Sequence, residues 1–83
     1  MEQITRTPEQ LVAVLRRFRK KKGLSQEALG KQIHMRQATI SAIENSATDM
    51  RLGTLLDALA ALDLELVVRP RSKGTAQEIE EIF

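Results

Sequence analysis

The chain has no cysteine, tryptophan or tyrosine, and only two phenylalanines, two prolines and one histidine among its 83 residues. Without cysteine it can build neither a disulfide framework nor a thiolate metal site. A single histidine, His34, supplies too few ligands for an ordinary metal centre. With Phe18 and Phe83 as its only aromatics the core must be aliphatic, which favours small helices packed together. No apolar run is long enough to span a bilayer. Met1 opens no charged-then-apolar leader, so the expectation is a cytoplasmic protein. There is no phosphate-cradling glycine loop and no paired-carboxylate arrangement. Ser25, Ser41, Ser46 and Ser72 each have a simpler role in a cap, a surface or a loop than in a catalytic triad. The reading is a non-enzyme with no cofactor, no small-molecule substrate and no membrane.

What is present is a hydrophobic content of 42%, enough for a folded globule. Its length makes one domain with a small core, and such chains often gain stability by self-association. After a lead-in over residues 1–6, Thr7-Pro8-Glu9-Gln10 announces a helix: Thr7 as N-cap, Pro8 at the first helical position and Gln10 completing a capping box. Leu11, Val14 or Leu15, and Phe18 give its buried stripe, and Gly23 can close it.

The stretch LSQEALGKQIHMRQATISAIEN, from Leu24 to Asn45, then reads as two short helices joined by a tight turn. Leu24, Ala28, Leu29 and Ile33 fall at helical spacing, as do Ile40 and Ile43. Ser25 caps the first helix, roughly Gln26 to Ile33, and the second runs from about Arg36 to Asn45. His34 falls in the turn, where a positive φ is often required and histidine tolerates it better than most side chains. Small polar residues at the start of the second helix suit insertion into a DNA major groove. Gln37 can bond adenine bidentately, the Ala38 methyl can meet a thymine methyl, and Arg36 and Ser41 can reach a base or a phosphate. Gln26, opening a helix with free backbone donors, and Thr39 suit phosphate oxygens.

Charge supports this placement. From Arg16 to Arg36 there are eight basic residues (Arg16, Arg17, Arg19, Lys20, Lys21, Lys22, Lys31, Arg36) against one acid, Glu27. A basic stripe beside such a pattern is the footprint of phosphate contacts, with Lys22 and Lys31 as candidates. After a polar loop over residues 46–49, Leu52, Leu55, Leu56, Leu59 and Leu62 mark a further amphipathic helix, weakened by Gly53 and poorly capped by Arg51. Leu64-Glu65-Leu66-Val67-Val68-Arg69 is rich in branched residues, alternates, and stops at Pro70, as a strand does. No second strand candidate exists, so pairing with the same strand of a second copy is expected, through Leu64, Leu66, Val67 and Val68. Residues 71–83 read as a flexible tail whose Ile79, Ile82 and Phe83, among three glutamates, could dock on a partner.

Residues 8–62 resemble the Xre, or lambda-repressor-like, helix-turn-helix family, whose pattern runs Ser/Thr-Gln-x-x-Leu-Ala through Ile-Ser to Ile-Glu-Asn-Gly. His34 and Ser46 stand where that family commonly has glycine. Beyond this core, QATIS followed by LLDALAALDLELVV resembles the HipB-like antitoxins. The resemblance implies an all-α, four- to five-helix domain over residues 7–63 and a strand over 64–70 paired across a homodimer. It implies a repressor, nucleoid-associated at a palindromic double-stranded operator, with Arg36, Gln37, Ala38 and Ser41 on bases and Gln26 and Thr39 on phosphates. It also implies a HipA-type kinase toxin as partner. The alternatives are a stand-alone or phage-type Xre regulator, and an adaptor that binds protein without touching DNA.

Overall fold

The computed structural model describes residues 2–46 and 50–71, which form four helices, α1 (Pro8–Lys21), α2 (Gln26–Gln32), α3 (Gln37–Ser46) and α4 (Leu52–Ala61). The tail expectation, and most of the loop between α3 and α4, fall outside the described residues. No helix among the described residues is long and apolar enough to cross a membrane.

Helix α1 begins as its sequence dictates. Thr7 is extended, its side chain accepts from the Gln10 N–H at 3.1 Å, and Pro8 takes the first helical position. The return bond of a capping box is displaced by one residue: the Gln10 side chain accepts from the Arg6 N–H at 2.6 Å. The buried stripe is also rotated from the expected one. Val12, Leu15 and Arg19 are buried, while Leu11, Val14 and Phe18 flank them half-buried. The expected Leu15 lies in this buried stripe, with Leu11 and Phe18 packed beside it, and Val12 and the charged Arg19 complete it.

Helices α1, α2 and α4 end alike. The residue after each C-cap has positive φ: Gly23 at 77°, His34 at 60° and Asp63 at 57°. The next N–H then reaches back five residues to a helix carbonyl: Leu24 to Arg19 at 3.0 Å, Met35 to Gly30 at 2.7 Å, Leu64 to Leu59 at 2.8 Å. These are Schellman closures, which satisfy carbonyls that the last turn leaves unpaired. The expectation for His34 holds, and Asp63 adds a second non-glycine residue in the left-handed region. In the α2–α3 turn the chain passes so near Gly30 that a Cβ there would collide with the Met35 carbonyl oxygen.

Leu15, Leu29, Ile40, Leu59 and Leu62 form the centre of the core, ringed by Leu11, Phe18, Leu24, Ile33, Met35, Leu55 and Leu64. Helix α3 packs on α2 and α1, and α4 packs on α2. Lys22 fastens the end of α1 to the end of α4, its Nζ donating to the Ala61 carbonyl and to Asp63, each at 2.8 Å. Helix α4 starts without a side-chain cap at Arg51, and its leucines divide. Leu59 and Leu62 are buried, while Leu52 and Leu56 are 64% and 44% exposed.

The described residues contain no strand. Residues 64–71 follow α4 without helix or ladder, since a lone segment has nothing to pair with inside one chain. Leu64 folds against the core, and Leu66, Val67 and Val68 lie exposed. Glu2 pairs with Arg69 at 3.2 Å, and Gln3 accepts from Arg17 at 2.8 Å, which brings the lead-in alongside this segment.

Candidate nucleic-acid interface

The turn between α2 and α3 brings two helix starts together. Ser25 caps α2 by accepting from the Ala28 N–H at 3.0 Å, which puts Gln26 at the first helical position. The Arg36 carbonyl accepts the first bonds of α3 from Thr39 and Ile40, which puts Gln37 at the first position there. The side chains of these two glutamines meet: Gln37 Nε2 donates to Gln26 Oε1 at 2.7 Å. Ile40 and Ile43 turn inward, so Arg36, Gln37, Ala38 and Thr39 stand exposed and Ser41 half-buried. Ser41 Oγ accepts from Asn45 Nδ2 at 3.2 Å, which fixes the next turn of the same helix.

The structure thus brings Arg36, Gln37, Ala38, Thr39 and Gln26 to one place, as the sequence placed them. Lys31 lies exposed on α2 beside Glu27, its Nζ 3.4 Å from that carboxylate. Lys22 is elsewhere, bonded to Asp63 at the α1–α4 junction. The basic stripe divides as well. Arg17, Lys20, Lys21, Lys31 and Arg36 are exposed, with Lys21 Nζ 5.8 Å from the Phe18 ring centroid. Arg19 and Arg16 instead serve the interior.

Sequence reasoning missed this interior group. Glu44 is 7% exposed and Arg19 7%, and they make a bidentate pair, Nε to Oε2 at 2.6 Å and Nη2 to Oε1 at 2.9 Å. Arg19 also donates to the Leu24 carbonyl at 2.8 Å. Arg16 bonds the Glu44 carbonyl oxygen and lies 3.7 Å from its carboxylate. Gln26 Nε2 donates to Glu44 Oε1 at 3.2 Å. Burial pushes the Glu44 pKa up, but the hydrogen bonds from Arg19 and Gln26 and the charges of Arg19 and Arg16 outweigh it, so the group sits below the ordinary glutamate value of 4.5. A buried charge is tolerable only when paired and hydrogen-bonded in this way. The signal was available, because Arg19 continues the Val12–Leu15 stripe at helical spacing and Glu44 follows Ile43 on the inward side of α3.

Helix-turn-helix domains, as a family, match residues 10–71 of the chain. The antitoxin HipB of Escherichia coli strain K12 is 29% identical over 75 residues, covering 90% of this chain and 85% of that protein. A HipB variant solved in complex with an O2 20mer superposes with a TM-score of 0.78 at 30% identity, covering 87% of this chain and all of that one. HipB in a HipA–HipB–O2–O3 complex gives 0.77 at 31% identity, covering 86% of this chain and all of that one.

Proposed function

Because the chain belongs to the helix-turn-helix domain family as a HipB-like, DNA-binding member, we propose that it is the antitoxin of a two-gene operon, repressing that operon and binding a HipA-type kinase toxin. The start of α3 carries the DNA-reading part of this proposal, with Arg36, Gln37, Ala38 and Thr39 exposed on a helix whose other face holds Ile40 and Ile43 in the core. A helix presented in this way enters the major groove with its N-terminal side chains at base edges. Gln37 reads adenine, Ala38 meets a thymine methyl, and Arg36 and Ser41 contact further base edges. Gln26, Thr39 and Lys31 hold phosphates, and Lys22 does so only on release from Asp63.

The dimer in this proposal forms through residues 64–70. Support comes from the apolar residues left uncovered in one chain: Leu66 and Val67 are 53% and 60% exposed, Val68 is 91% exposed, and α4 adds Leu52 and Leu56. Pairing the segment with its copy satisfies its backbone groups and buries these side chains. The toxin partner rests on likeness to HipB in its complex with HipA.

Titration of the protein into labelled duplex from upstream of its own gene, against random duplex, tests the reading. Gln37→Ala is expected to cost about 1–3 kcal/mol on the operator and to relax preference at one base pair. Equal losses on operator and random DNA would refute the assignment of Gln37 to base reading. Co-purification with the product of the adjacent gene tests the toxin.

A further inference from the structure

The segment over residues 64–70 contains what fixes its own pairing register. Alternation sets Leu64, Leu66 and Val68 on one face of an extended chain and Glu65, Val67 and Arg69 on the other. A twofold antiparallel pair keeps each face on its own side, so its axis must pass opposite a residue and not between two. Asp63, left-handed at φ 57° and bonded to Lys22, keeps the ladder from starting earlier, and Pro70 ends it. Centring on Val67 uses the whole run between them. It sets Glu65 opposite Arg69 of the partner subunit, and Leu64 opposite Pro70 of the partner subunit. The phase of the hydrogen bonds follows as well. Facing residues in an antiparallel ladder alternate between pairs that exchange two hydrogen bonds and pairs that exchange none. Pro70 has no N–H, and the Leu64 N–H already donates to the Leu59 carbonyl at 2.8 Å. The pair at the ladder's end is therefore one without hydrogen bonds. Counting inward, Glu65 and Val67 fall at bonded pairs. Leu66 meets Val68 of the partner subunit at an unbonded pair, where side chains approach most closely.

We propose that residues 64–70 are a self-complementary strip for a second copy of this chain, centred on Val67 and specified by two reciprocal ion pairs, each joining Glu65 to Arg69 of the partner subunit. This rests on the proposal that the segment pairs between copies, and adds which residue meets which. Other symmetric registers suit the charges and the backbone less well. Centring on Leu66 draws left-handed Asp63 into the ladder and sets Glu65 opposite a valine. Centring on Val68 moves Pro70 inward, where its fixed φ is unfavourable, and sets Arg69 opposite a valine. Among the described residues Arg69 has one ion pair, with Glu2 at 3.2 Å, and Glu65 has none, so the partner chain supplies what Glu65 lacks. Exposed charge pairs add little affinity. Their effect is on choice: a chain without the matching charges sets like charges, or a charge and an apolar side chain, opposite each other.

Charge reversal in the full chain tests this. Glu65→Arg alone, or Arg69→Glu alone, sets like charges opposite at both ends of the ladder. Each is expected to weaken the dimer roughly tenfold or more in sedimentation equilibrium at low salt. Mixing the two variants restores opposite charges at both ends, so the mixed dimer should recover to within about fivefold of the unaltered one. The doubly reversed chain, E65R with R69E, should pair with itself and reject the unaltered chain. Circular dichroism checks that the helices persist in every variant. In amide exchange of the unaltered dimer, the N–H groups of Glu65, Val67 and Arg69 should be protected and those of Leu66 and Val68 should not. No recovery on mixing, or protection at Leu66 and Val68 instead, overturns the register. Recovery with Arg71→Glu in place of Arg69→Glu overturns it in favour of a ladder centred on Val68. A dimer that ignores both reversals but is broken by Leu66→Asp overturns the strip and leaves pairing through this segment intact. A dimer that also ignores Leu66→Asp overturns that pairing, and the strip with it. Protection that arises only on adding the adjacent gene's product makes that protein the occupant and overturns the proposal.

Discussion

Glu44 and Arg19 are the residues on which most depends within the domain. Removing one partner of a buried ion pair leaves an uncompensated charge and typically costs about 3–5 kcal/mol. For a domain this small that is a large part of the whole stability. Glu44→Ala, which strands Arg19, is expected to lower the thermal midpoint severely, measured by circular dichroism. Acid should act on the same pair. The folded-state pKa of Glu44 lies below its unfolded value, so its contribution is complete above pH 4.5 and is lost as pH falls through the folded value. Glu44→Gln should therefore flatten the loss of stability on acidification below that point. Spacing carries the only sequence signal for the pair, and it is easily overridden because charged residues are ordinarily assigned to the surface and Arg19 sits within a run of basic neighbours that do lie there. His34 was the opposite case: a single residue in a tight turn, legible because few side chains accept positive φ.

At the scale of elements, helix starts were easier to read than buried faces. Thr7 and Ser25 cap where their side chains demanded, and Gln26 and Gln37 arrive at helix starts as expected. The stripe of α1 is legible at Leu15 but not at its end, because Arg19 is charged and only its spacing points inward. The segment after α4 is a different problem, since a strand is a property of two segments and one sequence shows only one of them. If residues 64–70 pair between copies, burying Leu66 contributes on the order of 1.5–3 kcal/mol per chain. Leu66→Asp should then convert a dimer into monomers in sedimentation, with the helical circular dichroism unchanged. A tight dimer that survives the change would place the contact elsewhere, with Leu52 and Leu56 of α4 the next apolar residues to alter.

For the whole molecule, the separation of charge decides what DNA binding should look like. Arg19 and Arg16 turn toward Glu44, and Lys22 toward Asp63, so within residues 16–36 the outward positive field comes from Arg17, Lys20, Lys21, Lys31 and Arg36. Binding should weaken with salt in proportion to the phosphates neutralised. Lys31→Ala should reduce the steepness of that dependence by roughly one per chain and weaken operator and random DNA alike. Arg17→Ala provides the comparison from α1. A twofold pair of such domains should protect two half-sites about 34–36 Å apart in footprinting, one helical turn of DNA.

The three helix closures at Gly23, His34 and Asp63 bear on speed as well as shape. Each is completed by residues within six positions of one another, so each helix stop is written into its own neighbourhood. The α2–α3 unit, where the two glutamines meet, is likewise assembled from adjacent sequence. Chains dominated by such nearby contacts collapse to their native topology in microseconds to milliseconds. The face offered to DNA would therefore be complete almost as soon as the polypeptide is free to fold, and any pairing of two chains would follow as a slower, concentration-dependent step.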